Sequence, residues 1–165
     1  MIKIKKINNT PVNSNCYVIT NSISNKCIII DPGSEDNKDL LAYLTKKSLN
    51  PSWVILTHEH FDHCLGVNHL NKLYNLELIC SEGTSQFISD PGLNFSAYWD
   101  EIQSFGISMK PRIVKDAEIV ICDQIFLSCI TTPGYSPGSI CFSIDNHIFI
   151  VDTLLWLQYK TICKN

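Results

Sequence analysis

A short apolar run, Trp53-Val54-Ile55-Leu56, ends in Thr57-His58-Glu59-His60-Phe61-Asp62-His63, and no other stretch limits the possible folds so tightly. A run that is apolar throughout reads as a strand buried on both faces. The heptapeptide behind it holds three of the chain's 5 histidines together with two carboxylates. Gathering such groups at the mouth of a buried strand costs desolvation unless something compensates. Neutral imidazole nitrogen and carboxylate oxygen are good zinc ligands. A spacing of two lets His58 and His60 point the same way in an extended segment. Asp62 and His63 are adjacent, so a bend can turn them toward a second position nearby. The segment therefore reads as a loop able to serve two neighbouring metals; the plain alternative is a polar loop with chance histidines. Two metals about 3.5–4 Å apart can hold a bridging hydroxide and polarise a carbonyl or phosphoryl oxygen. Glu59 is expected to face away from the metals, outward or in support of the ligands.

The elements around this loop follow from periodicity. Residues Ile2 to Ile7 alternate with Lys3, Lys5 and Lys6, which reads as a first strand with a wet face. Asn15 to Thr20 and Lys26 to Ile30 are β-rich runs, and Asp31-Pro32-Gly33 stops the second abruptly. Leu40, Leu41 and Leu44 predict a helix within Asp36 to Lys47, and Leu65, His69, Leu70 and Leu73 predict another within Leu65 to Tyr74. Leu76 to Cys80 reads as a strand. Ser81 to Lys110 reads as a short helix and a long loop. Strands are then predicted at Arg112–Val114, Glu118–Cys122, Ile125–Thr131, Ser139–Ile144 and His147–Val151, with hairpin turns at Asp123-Gln124 and Asp145-Asn146. Mixed elements followed by strands suggest sheets packed face to face with helices outside.

With 165 residues, 45% hydrophobic and 18% charged, the chain is long enough for one domain with a sizeable core. A net charge of -3 and the lack of a Lys/Arg block give no footprint for nucleic acid. No apolar run is long enough to span a bilayer, and no charged-then-apolar leader opens the chain, so the expectation is a cytoplasmic protein without a membrane partner. The 8 cysteines form no Cys-x-x-Cys pair, and most fall in strand-like runs, where a free thiol behaves as a small hydrophobe.

The His-x-His-x-Asp-His pattern at His58 to His63 resembles the signature of the metallo-β-lactamase superfamily. Other segments fall in the matching order. Asp31-Pro32-Gly33 looks like the family's early strand-turn. Asn94-Phe95-Ser96, after Asp90-Pro91-Gly92, is similar to a segment of small glyoxalase II-like hydrolases. Thr132-Pro133-Gly134-Tyr135-Ser136-Pro137-Gly138-Ser139 resembles the family's Thr-Pro-Gly-His-Thr-Pro-Gly-Ser loop, and Val151-Asp152-Thr153-Leu154 its Gly-Asp-Thr-Leu. The resemblance implies an α+β fold, a four-layer αββα sandwich with metals at one edge of the paired sheets, formed by a single domain over residues 1–165. It implies that His58 and His60 bind a first metal, Asp62 and His63 a second, and Asp152 bridges them. The implied cofactor is zinc, one or two ions, with iron or manganese as substitutes. The implied activity is hydrolysis of a small-molecule thioester or ester by metal-bound hydroxide, with Asp62 also orienting that hydroxide.

Two departures qualify this expectation. Tyr135 stands where the family carries a ligand histidine, and a phenol titrating near pH 10 is a poor zinc ligand. The family's last ligand histidine lies in a C-terminal segment with no counterpart before Asn165, and Trp156 to Asn165 does not resemble the family's continuation. A domain incomplete after about residue 155, weakened metal binding, and a second sheet left uncovered enough to favour self-association are the corresponding expectations. The rival reading is a catalytically impaired remnant of such a hydrolase. Of the remaining candidates, Asp31 either orients the metal loop or only turns the chain. Cys64 either approaches the site or packs under a helix. Tyr98 and Trp99 either line a cleft or belong to core or surface. His69 and His147 match no ligand position.

Overall fold

The structure, a computed structural model, describes residues 1–150 and Asp152; expectations for Trp156 to Asn165 lie outside the described residues. Six strands form a first sheet in sequence order: β1 (Ile2–Asn8), β2 (Asn15–Asn21), β3 (Lys26–Ile30), β4 (Asn50–Ile55), β5 (Glu77–Ser81) and β6 (Arg112–Val114). The first three are antiparallel neighbours, and β3 to β6 run parallel. Parallel neighbours need long crossovers. These are supplied by α1 (Lys38–Lys46), by α2 (Phe61–Cys64) with α3 (Val67–Leu73), and by α4 (Glu82–Phe87) with the long segment after it. Four antiparallel strands form the second sheet, in the order β10 (His147–Phe149), β9 (Ile140–Ile144), β8 (Ile125–Thr131) and β7 (Ile119–Cys122).

Alternation along the strands builds two cores on the two faces of the first sheet. In β3, Cys27 and Ile29 face the helices, among Leu40, Leu44, Val67 and Leu70. Ile28 and Ile30 face the second sheet, among Val120, Leu127, Phe142 and Phe149. Both faces are covered, so Cys27 to Ile30 of β3 and Trp53 to Ile55 of β4 read as continuous apolar runs. Each buried Ile contributes roughly 1.5–3 kcal/mol relative to exposure. The described residues thus build helix, sheet and sheet in three stacked layers of the α+β sandwich. Among them no helix covers the outer face of the second sheet, where Ile119, Ile121, Phe126, Ile130 and Ile148 are exposed.

Both predicted hairpin turns form. Cys122 pairs with Ile125 and Ile144 with His147, leaving two-residue loops. Asp123, Gln124 and Asp145 have φ of 48°, 64° and 48°, the left-handed backbone such tight loops demand. The predicted helix over Leu65 to Tyr74 begins earlier than its apolar spacing indicated. Its first turn is α2, and Leu65-Gly66 separates that turn from α3. No helix of the described residues is long and apolar enough to cross a membrane. The seven described cysteines are all buried.

Candidate metal centre

Strands β3 and β4 are parallel neighbours, so their carboxyl ends lie side by side and release two segments into one place. Asp31 leaves β3, and Thr57 to His63 leaves β4. Asp31 has a φ of 51°, a left-handed conformation that Asp tolerates better than most residues. Its backbone N–H donates to the Ile55 carbonyl at 3.0 Å, which ties the two strand ends together. Its carboxylate, 0% exposed, accepts from Thr57 N at 2.8 Å and Thr57 Oγ1 at 2.6 Å, and from His63 Nδ1 at 3.1 Å. Asp31 is therefore an organiser of the metal loop and more than a turn residue.

These bonds fix how two imidazoles present themselves. The Thr57 hydroxyl has one proton and gives it to Asp31, so at 3.1 Å it must accept from His58 Nδ1–H. The Asp31 carboxylate likewise takes His63 Nδ1–H. Both rings then turn Nε2 toward the site, the arrangement in which an outer carboxylate orients a metal-binding histidine. His58 Nε2 and His63 Nε2 are buried and have no hydrogen-bond partner among the described residues. Asp152 Oδ2 stands 3.8 Å from the first and 3.5 Å from the second, and Asp62 Oδ2 lies 3.3 Å from the second. These are ion-pair distances that lack hydrogen-bond aim. The donor atoms of His58, His63 and Asp152 all lie within 4.8 Å of one another.

The electrostatics differ sharply between the rings. Burial, then the neighbouring His63 and His60, hold the His58 pKa well below its ordinary value. Burial pulls His63 the same way, but the surrounding carboxylates of Asp152, Asp31 and Asp62 outweigh it and hold His63 well above the usual histidine range. Burial tends to raise Asp152, and His63 overrides it, so the carboxyl is held low. Without a cation, His63 carries the positive charge that this acidic cluster demands.

His60 stacks edge-on against His58, with ring centroids 4.5 Å apart, so the two do share a side of the loop. Tyr135 packs against both rings, at 5.4 Å from His58 and 5.0 Å from His60. Its hydroxyl bonds the Asp152 carboxylate, and burial together with that negative charge pushes the phenol further up. Phe95 packs on His60 from its own side at 4.7 Å.

Several supporting residues were invisible to sequence reading. Asn9 Nδ2 and Ser14 Oγ reach the Asp62 carbonyl at 3.5 and 2.5 Å from 53 and 48 residues away, and no local pattern announces that contact. The Asn94 carbonyl accepts from Phe61 N at 2.8 Å and caps the start of α2. Asn94 is itself held by its Nδ2 donating to Phe105 O at 2.8 Å. Its place in the Asn94-Phe95-Ser96 motif was the available clue. A Cβ on Gly33 would overlap the Asp62 carbonyl, so only glycine lets the turn after β3 approach the loop after β4.

Glu59 faces away from His58 and His60 as alternation requires, but it faces inward. It is 3% exposed, and its Oε2 accepts from Ser136 Oγ at 3.0 Å. Cys64 packs in the helix-side core, its thiol on the Glu59 carbonyl at 3.4 Å. Tyr98 and Trp99 are exposed, with Trp99 tilted against Phe61 at 5.3 Å. His69 on α3 and His147 on β10 lie outside the cluster.

Comparison with known proteins gives a consistent picture. Residues 9–155 match the profile of the metallo-beta-lactamase superfamily. The chain is 27% identical over 144 residues to a Bacillus subtilis (strain 168) protein named "Probable metallo-hydrolase YqgX", covering 86% of this chain and 65% of that protein. It is 26% identical over 140 residues to the "Probable polyketide biosynthesis zinc-dependent hydrolase PksB" of the same organism, covering 84% of this chain and 54% of that one. Among solved structures, the BLEG-1 B3 metallo-beta-lactamase superposes with a TM-score of 0.78 at 26% identity, over 86% of this chain and 67% of that one. TTHA1623 in a di-iron-bound form superposes with a TM-score of 0.75 at 23% identity, over 88% of this chain and 70% of that chain, a likeness of fold. The chain thus spans about two thirds of YqgX and about half of PksB.

Proposed function

The chain belongs to the metallo-β-lactamase superfamily, and from that premise we propose that it is a metal-dependent hydrolase of a small-molecule thioester or ester, of the glyoxalase II-like type. One observation carries the reading: two buried Nε2 atoms without hydrogen-bond partners converge with Asp152 in a space of ligand dimensions. Buried polar atoms are almost always satisfied, and bound cations would satisfy both nitrogens. The donor set fits a metal. His58 and His60 would hold a first ion, Asp62 and His63 a second, and Asp152, whose Oδ2 lies near both His58 and His63, would serve the two together. Zinc suits imidazole and carboxylate, and iron or manganese accept the same donors; PksB is named as zinc-dependent and TTHA1623 as di-iron. When bound, the metal supplies Lewis acidity that activates water and polarises a carbonyl oxygen.

This chain's own residues have the remaining work. Asp31 holds His58, through Thr57, and His63 in one tautomer each. Asp62, half-buried at the rim, would orient the attacking hydroxide besides serving as a ligand. Phe95 and Tyr135 wall the approach to His60. Tyr135 also supports a second reading, a site that binds metal weakly and turns over slowly or not at all. Its phenol, pushed up by burial and by Asp152, stays protonated at neutral pH and donates to Asp152 where a ligand lone pair would otherwise be offered.

Elemental analysis after dialysis, followed by a thioester assay with and without chelator, separates the two. Chelator-sensitive hydrolysis supports the enzyme, and bound metal without hydrolysis supports the impaired site. Neither metal nor hydrolysis under zinc supplementation removes the proposal. Tyr135→His is expected to raise the metal retained per chain.

A further inference from the structure

On the reverse side of the metal loop lies a polar cluster for which the ligand set has no use. Glu59 sits between His58 and His60 and points the other way, into the space between the first sheet and the loop joining β8 to β9. There its Oε2 accepts from Ser136 Oγ at 3.0 Å, across 77 residues of sequence. Ser136 is locked in turn. Its N–H donates to Ser139 Oγ at 3.1 Å, and the two hydroxyls lie 3.0 Å apart. Since Ser136 gives its proton to Glu59, Ser139 must donate to Ser136, and the chain of bonds runs in one direction. Two residues on, Gly138 is wedged against the start of α4. Its carbonyl accepts from Ser81 Oγ at 2.6 Å and Thr84 Oγ1 at 3.1 Å, and a Cβ there would lie 2.8 Å from Glu59 Oε2 and overlap the Thr84 backbone N. At the far end of the loop Ile140 N donates to the Thr57 carbonyl at 2.9 Å.

The loop from Thr132 to Ser139 is the one that carries Tyr135 onto His58 and His60. It belongs to the second sheet, whereas the histidines belong to the first. We propose that Glu59 is a positioning residue that clamps this loop through Ser136, so that one dipeptide serves both sides: His58 faces the candidate metal site, and Glu59 fixes the loop that brings Tyr135 beside it. A buried carboxylate with hydroxyl partners is suited to this, because hydrogen bonds to a charged acceptor are about twice as strong as neutral ones and are wasted if the loop lifts away. The consequence for the metal rests on the function proposed above; the clamp itself does not.

Amide hydrogen exchange on the metal-free full chain tests the clamp directly. Glu59→Ala and Ser136→Ala are each expected to speed exchange of the 132–139 backbone at least about 10-fold, with β1 to β3 unchanged. Glu59→Gln, which keeps a neutral carbonyl oxygen for the Ser136 hydroxyl, is expected to restore part of that protection. If Glu59→Ala does not fold, Ser136→Ala decides alone. Unchanged exchange over 132–139, a rise spread equally through β1 to β3, or no rescue by Gln overturns the proposal. In the folded variants zinc affinity, read by chelator competition, is expected to fall roughly 10-fold, as when a residue supporting a ligand is lost. Loosened 132–139 exchange in a chain whose parent form also fails to bind zinc upholds the clamp and removes the metal reading instead.

Discussion

At the scale of single residues, Asp31 and His63 set the terms on which the site accepts a cation. Asp31 takes protons from Thr57 and His63, and through Thr57 it fixes His58. His63 is held protonated above the ordinary histidine range by three carboxylates. A metal must displace that proton, so affinity rises with pH. The sign follows from linkage: the metal-free state binds one more proton than the loaded state, and each unit of pH gained below the folded-state pKa of His63 favours loading. Zinc titrations at pH 7 in buffers of different ionisation heat are expected to show net proton release, and affinity is expected to climb from pH 6 to pH 8. Uptake without proton release would mean that His63 is not a ligand.

At the scale of elements, the loops after β3 and β4 act as one unit because their backbones touch. Gly33 is the point of contact, where any side chain would enter the Asp62 carbonyl. Gly33→Ala is expected to cost about 3 kcal/mol, at the top of the usual range for overpacking, and to lower Tm by roughly 6–12 °C for a chain of this size. Metal affinity should fall with it, since the same shift moves Asp62 and His63; a variant with unchanged Tm and unchanged metal content would show that the contact is not tight. The elements most legible in sequence were those with strong local signals. Predicted and observed limits coincide for Lys26–Ile30, Arg112–Val114 and Ile125–Thr131. The start of α2 was not legible, because its first turn is spent on Asp62 and His63. His63 is buried and Asp62 half-buried for the sake of the site, which breaks the rule that buried faces are apolar.

At the scale of the whole molecule, the two sheets depend on a shared core. Phe142 of β9 is fully buried between them, among Ile28, Ile30 and Ile55 of the first sheet and Leu127 and Ile144 of the second. Phe142→Ala is expected to cost about 3–5 kcal/mol. The cost should appear as one cooperative transition by both far-UV and near-UV circular dichroism, since the sheets lose their common partner together. Two separated transitions would show that the sheets unfold independently. The same sandwich decides where the site can be. β3 and β4 carry the histidines and Asp31, the β8–β9 loop carries Tyr135, and Asp152 follows β10, so only closure of the two sheets assembles them.

The residue types and their spacing were enough to nominate candidate donors, because imidazoles and carboxylates suit a cation and side chains two apart in an extended segment share a face. Local order also settled most strands and both tight hairpins. What sequence left open was direction and distance. Glu59 could face solvent or interior until the loop bearing Ser136 was found beneath it, 77 residues away. Tyr135 was a missing ligand on paper and became a wall over two imidazoles bonded to Asp152. Such facts belong to pairs of segments brought together by burying apolar surface, and no window along one chain contains both members of the pair.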